Sequence, residues 1–184
     1  MSFSFVVAVV CFAVIANAVH PERRPDLGEF QDEFKCFPHE TPWLAVLRNY
    51  ESDPYFGGKA KCIRVTQSAP LQGDVAEGTV EYAGTERVKT KLTLTRTEGY
   101  HHKNALNATF LDGPGQGKEF RLFSIYSECD KCKLYRNPYA GENACSLFVP
   151  ARLRNQIDPA CQFIFNLHCG TDNHYRLLDD TCPF

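Results

Sequence analysis

The sequence predicts an all-β protein: an eight-stranded antiparallel up-and-down barrel with one C-terminal α-helix packed outside it and four disulfides. Three observations support this fold class. From residue 43 to residue 149, short strand-like segments alternate with turn residues at hairpin spacing. One segment after them carries both a helix start and a helix stop. An even set of cysteines remains once an apolar leader is set aside, as suits an oxidising compartment.

The first strand covers residues 43–50 and is ended by Asp53-Pro54. Residues 59–67, 75–83 and 88–97 follow. Residues 104–110 form the fifth, closed by Asp112-Gly113-Pro114-Gly115. Residues 119–127, 131–136 and 144–149 complete the set. Hairpin-length connections favour an up-and-down barrel over a parallel sheet, with a two-sheet sandwich as the competing arrangement. On the fourth strand Val88, Leu92 and Leu94 share one face, with Lys89, Lys91, Thr93 and Thr95 on the other. The fifth strand is oriented independently. Asn107-Ala108-Thr109 is a glycosylation sequon, and a glycan must face solvent. With Asn107 outward, Ala105 and Thr109 are outward too, and Leu106, Ala108 and Phe110 point inward.

The helix follows the strands. Asp158 suits the N-cap, Pro159 the first helical position and Gly170 the stop. Cys161, Phe165 and Cys169 recur on one face, with Ile164 and His168 beside them. That spacing puts the two cysteines about 12 Å apart, beyond the roughly 7 Å Cα limit of a disulfide. Both must bond to other elements, which staples the helix to the barrel wall.

Residues 5–15 are a nearly unbroken apolar run ending at Ala16-Asn17-Ala18, the small-x-small pattern of a cleavage site. The run is too short for a membrane-spanning helix, which needs about 20 residues. A buried N-terminal strand is the alternative. Residues 1–18 are therefore expected to be a signal peptide and residues 19–184 one secreted, monomeric domain without an anchor. Cleavage removes Cys11 and leaves Cys36, Cys62, Cys129, Cys132, Cys145, Cys161, Cys169 and Cys182. Eight cysteines allow 105 pairings, and spacing alone does not choose among them. A net charge of -2 points to neither nucleic acid nor an anionic membrane.

No catalytic set converges. Residues 112–119 resemble a phosphate loop, but the first glycine is misplaced and Glu119 stands where Ser or Thr binds magnesium. Cys129-x-x-Cys132 reads as two structural half-bridges in preference to a redox dithiol or zinc half-site. His101 and His102 are adjacent, so on a strand they point to opposite faces. His168 beside Cys169 lacks the His-Asp pair and calcium loop of a secreted phospholipase. Neither Gly-x-Ser-x-Gly nor His-Glu-x-x-His occurs. The expectation is a binding protein, with no enzyme activity, cofactor or metal.

Several segments occur together in order: Tyr50-x-x-Asp53-Pro54-Tyr55-Phe56-Gly57, Lys61-Cys62, Tyr126-Ser127-x-Cys129, Cys132-Lys133-Leu134 and Cys145-Ser146-Leu147-Phe148-Val149. Pro159-x-Cys161, Cys169-Gly170 and the final Cys182 continue them. In this the chain resembles the tick salivary lipocalins that include the histamine-binding proteins, although Thr41 stands where the general lipocalin Gly-x-Trp signature has glycine before Trp43. The resemblance implies a lipocalin barrel, a Cys62–Cys182 bridge, and secretion into a host to sequester small mediators and evade its immune response. Such proteins bind amines, leukotrienes, fatty acids or sterols, and some bind complement or other proteins, so the fold does not choose the ligand.

One motif bears on that choice. Amine-binding relatives resemble one another in a Cys-Asp-aliphatic segment and a Glu-Leu-aromatic segment, whose carboxylates hold the cation. Here Lys133 replaces the Asp and Ser146 the Glu, beside Phe148. Like charges about 4 Å apart cost roughly 4 kcal/mol at an effective dielectric of 20. That is half of the roughly 8 kcal/mol of a micromolar complex. The expected ligand is therefore an apolar or anionic lipid mediator such as a leukotriene or fatty acid. Lys133 would hold its carboxylate, and Leu92, Leu94, Leu106 and Phe110 its tail. In the bland alternative Lys133 snorkels to the rim. Two other readings stand beside this one. Histamine or serotonin could bind through a second acidic site involving Glu77 or Glu81. A host immune protein could instead be bound through an exposed aromatic patch with Tyr55, Phe56 or Tyr139.

Overall fold

The computed structural model describes residues 20–37, 41–84 and 86–184. The signal-peptide reading of residues 1–18 lies outside the described residues. Among the described residues no helix is long and apolar enough to cross a membrane. The strands are β1 (Trp43–Arg48), β2 (Arg64–Gln67), β3 (Val75–Tyr82), β4 (Glu86–Thr95), β5 (Ala105–Phe110), β6 (Glu119–Glu128), β7 (Cys132–Arg136), β8 (Cys145–Pro150) and β9 (Tyr175–Arg176). The one α-helix among the described residues, α1, spans Pro159–Cys169. Each of β2 to β7 pairs antiparallel with its successor, β8 pairs with β1, and β1 pairs with β2. That last pairing closes an eight-stranded barrel and excludes the sandwich.

Closure is divided along β1. Its first half pairs with β2 through Trp43↔Val65 and Leu44↔Arg64. Its second half pairs with β9, a strand the sequence reading did not anticipate, through Leu47↔Arg176 and Arg48↔Tyr175. The second strand is correspondingly shorter than expected. Residues 59–63 lie outside the strand, with Cys62 in the left-handed region at φ 58°. The Cys62 amide donates to the Leu177 carbonyl, just beyond β9.

The inward faces follow the alternation. Val80↔Val88 and Ala76↔Leu92 join β3 to β4, and Leu92↔Ala108 and Leu94↔Leu106 join β4 to β5. Asn107 is exposed, as the sequon requires. Ala105 departs from expectation: it points outward in register but is fully buried. An N-terminal strap of short 3-10 turns (Pro21–Arg23, Pro25–Phe30 and Phe34–Cys36) crosses the barrel beside it, and the neighbouring Asn104 side chain donates to the Glu22 carbonyl. The strap is further held by Arg136, which donates to Glu22 at 3.0 Å.

Four disulfides join Cys36–Cys129, Cys62–Cys182, Cys132–Cys161 and Cys145–Cys169. The two helix cysteines thus reach β7 and β8, with Phe165 buried between them against Leu134, Leu147 and Val149. The Asp158 side chain accepts from the Ala160 amide at 2.8 Å. Asp158→Ala is expected to cost about 1 kcal/mol, read as a lower urea midpoint at unchanged slope. A loss under about 0.3 kcal/mol would show that the two bridges already hold the first turn without the cap.

Candidate ligand-binding site

Two β-bulges decide which side chains enter the barrel. In β1 the register with β8 slips between Ala45 and Leu47, so Val46 is an extra residue. An extra residue reverses the alternation beyond it. Trp43 and Ala45 line the interior before the bulge, and Arg48 lines it after. In β6 the register with β7 slips between Ser124 and Tyr126, leaving Ile125 extra. Phe120 and Leu122 face inward before it, and Ser127 stands opposite Lys133 after it.

The barrel cavity has a volume of about 90 Å³ and is mostly apolar. Ile63, Val65, Val80, Leu92, Leu106 and Ala108 form its waist, with Phe148 and Leu177. Of the residues expected from the sequence, Lys133, Ser146, Phe148, Leu92 and Leu106 line it. Leu94 and Phe110 do not. Leu94 packs below the lining with Leu106 and Tyr135, and Phe110 belongs to an aromatic plug.

The strap closes one end. Glu33, wholly buried, reaches in and meets the Lys133 ammonium at 2.9 Å. The Tyr135 hydroxyl donates to the same Glu33 oxygen at 2.7 Å. The ammonium also lies 5.0 Å from the Trp43 ring centroid and 5.1 Å from that of Phe37. Burial lowers the Lys133 pKa from its ordinary value, against the opposing pull of Glu33. Burial and the neighbouring Glu33 push the Tyr135 hydroxyl well up. Lys133 therefore points inward and does not reach the rim, and its charge is answered within the protein. That corrects the expectation of a lysine waiting for a ligand carboxylate.

At the other end the turn at residues 53–58 folds over the barrel. Asp53 and Gly58 exchange backbone hydrogen bonds of 2.8 and 3.0 Å. Gly57 sits at φ +70°, and a Cβ there would lie 2.7 Å from the Tyr82 ring. Asp53 organises the turn: Oδ1 accepts from the Tyr55 and Phe56 amides, and Oδ2 accepts from the Tyr50 and Tyr139 hydroxyls. Burial, followed by the charge of Asp53, raises the Tyr50 pKa; for Tyr139 burial again leads. The turn inserts Tyr55 and Phe56 among Phe110, Phe120 and Tyr139, with Tyr55 stacked on Phe120 at 5.1 Å. These rings are half-buried and packed on one another, so the expected exposed patch of Tyr55, Phe56 and Tyr139 is not formed.

Arg48 stands beneath this turn with a relative exposure of 2%. Its Nη2 donates to the carbonyls of Glu51 at 2.6 Å and Gly58 at 2.9 Å. Its Nε and Nη1 are buried with no hydrogen-bond partner, and no carboxylate among the described residues lies within ion-pair distance of it. The acids suggested for a cation site are elsewhere. Glu77 is exposed on the outer face of β3, and Glu81 is held there by Arg64 and Arg87. Both occupy odd positions of a strand whose even positions point inward. Among the described residues the one cluster with metal-ligand spacing is Cys62, Asp179 and Cys182, whose sulfurs are committed to a disulfide.

Glu33, Arg48 and Asp53 are the charged groups that sequence reasoning did not place in the site. Over residues 21–183 the sequence matches the family described as tick histamine binding protein. No curated protein sequence matches. A crystal structure described as the AM182 serotonin complex is similar in fold, with a TM-score of 0.57 and 15% sequence identity, covering 79% of this chain and 87% of that one. From the extent of the match, and with the closed barrel in agreement, this chain belongs to the tick histamine-binding protein family.

Proposed function

We propose that this chain is a secreted lipocalin that sequesters a small apolar carboxylate in its barrel, with Arg48 as the counter-ion. The observation that carries the reading is the buried guanidinium at an apolar cavity with two nitrogens unpartnered. A buried donor without a partner costs about 1–3 kcal/mol, more when charged, and a ligand anion would relieve that cost. The cavity as it stands admits a short chain. A leukotriene or long fatty acid fits this reading only with the Tyr55 and Phe56 turn lifted, a local opening of the kind that gates many sites. Export by the leader and a glycan on Asn107 belong to the same proposal.

Trp43 is the chain's one tryptophan and lines the cavity, so its fluorescence reports occupancy. Octanoate is expected to bind more tightly than octanol. Arg48→Met should abolish that preference, weakening octanoate by about 30-fold or more, since losing one partner of a buried charge pair costs about 2–5 kcal/mol. Equal binding of acid and alcohol by the unaltered protein would sink the assignment. A second reading, capture of a biogenic amine, is favoured by Asp53, a 3% exposed carboxylate at the cavity ringed by Tyr50, Phe56 and Tyr139. Serotonin bound in preference to octanoate, and lost in Asp53→Asn, would establish it instead.

A further inference from the structure

The strap end of the cavity has the composition of a receptor for a primary ammonium ion. A wholly buried carboxylate, a tyrosine hydroxyl that orients it, and two aromatic faces converge on one point. Opposite charge and ring faces are the two interactions that hold a desolvated cation. The group at that point is the chain's own: the Nζ of Lys133, 2.9 Å from Glu33 and about equally far from the two ring centroids.

We propose that Lys133 is a built-in occupant of an ammonium site formed by Glu33, Tyr135, Trp43 and Phe37, and that it is the specificity-determining residue denying this end of the barrel to free amines. The tether makes this effective. A side chain anchored in β7 meets Glu33 at high effective concentration, and a free amine must displace it and leave a second cation buried nearby. Glu33 comes from the strap, which the Cys36–Cys129 bridge and the Arg136–Glu22 pair hold against the barrel, so the carboxylate stays in place when the lysine is shortened. Its second oxygen, Oε1, is buried without a hydrogen-bond partner, leaving acceptor capacity for a further N–H. The inference is independent of the Arg48 reading, which concerns the opposite end and the opposite charge.

Lys133→Ala removes three methylenes and the ammonium, the atoms of n-propylammonium. The variant is expected to bind n-propylammonium at least 30-fold more tightly than the unaltered protein, measured by Trp43 fluorescence and by a dose-dependent rise in melting temperature. Should it fail to fold alone, refolding in n-propylammonium, but not in tetramethylammonium or sodium, is the expected rescue. Lys133→Ala combined with Glu33→Gln keeps the space and removes the charge, and is expected to lose the gain. A folded Lys133→Ala protein with no gain in amine affinity would overturn the proposal. Equal gain in the double variant, which would mean that an empty space alone takes up the amine, would overturn it too. Octanoate binding is read in parallel in the same variants. Its persistence whatever the amine result separates failure here from failure of the Arg48 reading.

Discussion

Glu33→Leu is expected to destabilise the fold by about 3–5 kcal/mol, because it removes the carboxylate paired with a buried ammonium. The Lys133 and Glu33 side chains are 2% and 0% exposed, so water cannot replace the lost partner, and the Tyr135 hydroxyl loses its acceptor as well. Combining it with Lys133→Met should restore most of the loss, since a buried pair replaced by apolar groups of similar volume is often neutral. Urea denaturation of the two single variants and the double gives the coupling directly. A single-variant loss below about 1 kcal/mol, or a double loss equal to the sum, would refute the pairing. The pH dependence has a definite sign. Burial lowers the Lys133 pKa, so the unfolded chain binds more protons between that value and 10.5. Stability from this group must then rise with pH across that window. Glu33→Leu removes the opposing pull of the carboxylate and should widen the window toward lower pH.

Removing the Cys62–Cys182 bridge with paired alanines is expected to cost about 2–5 kcal/mol. The bridge spans 120 residues, the largest separation of the four, so its loss frees the most chain in the unfolded state. It also ties down the C-terminal segment, where β9 completes the closure of β1 and Leu177 lines the cavity. For a domain of this size the melting temperature should fall by about 5–15 °C. Octanoate affinity should weaken with it, because the barrel seam next to Arg48 loses β9. A variant with an unchanged melting temperature would show that β9 holds without its bridge.

Much of the fold was legible because it is local. Val88, Leu92 and Leu94 alternate with lysines and threonines, and Asn107 is exposed on the strand where the sequon required it. Asp158, Pro159 and Gly170 bound the helix as their capping chemistry implies. The site was less legible. A straight strand through Trp43, Ala45 and Leu47 puts Arg48 outside; only the bulge at Val46 turns it in. Nothing in Trp43-Leu44-Ala45-Val46-Leu47 marks that bulge, since every residue there is apolar and every one is buried. Glu33 lies in a short acidic and aromatic stretch with no periodicity, and its arrival beside Lys133 depends on a contact 100 residues away.

The amino-acid sequence by itself determined the all-β class, the strand order, the outer helix and the even cysteine framework, because alternation, capping and turn chemistry act between near neighbours. Only the tertiary structure decided which cysteines pair, where the barrel seam needs a ninth strand, and which charges enter the cavity. Those outcomes rest on register and on contacts between distant segments. A one-residue slip reverses every side chain beyond it, so the same sequence reads as an anion site or a plain wall until the pairing is known.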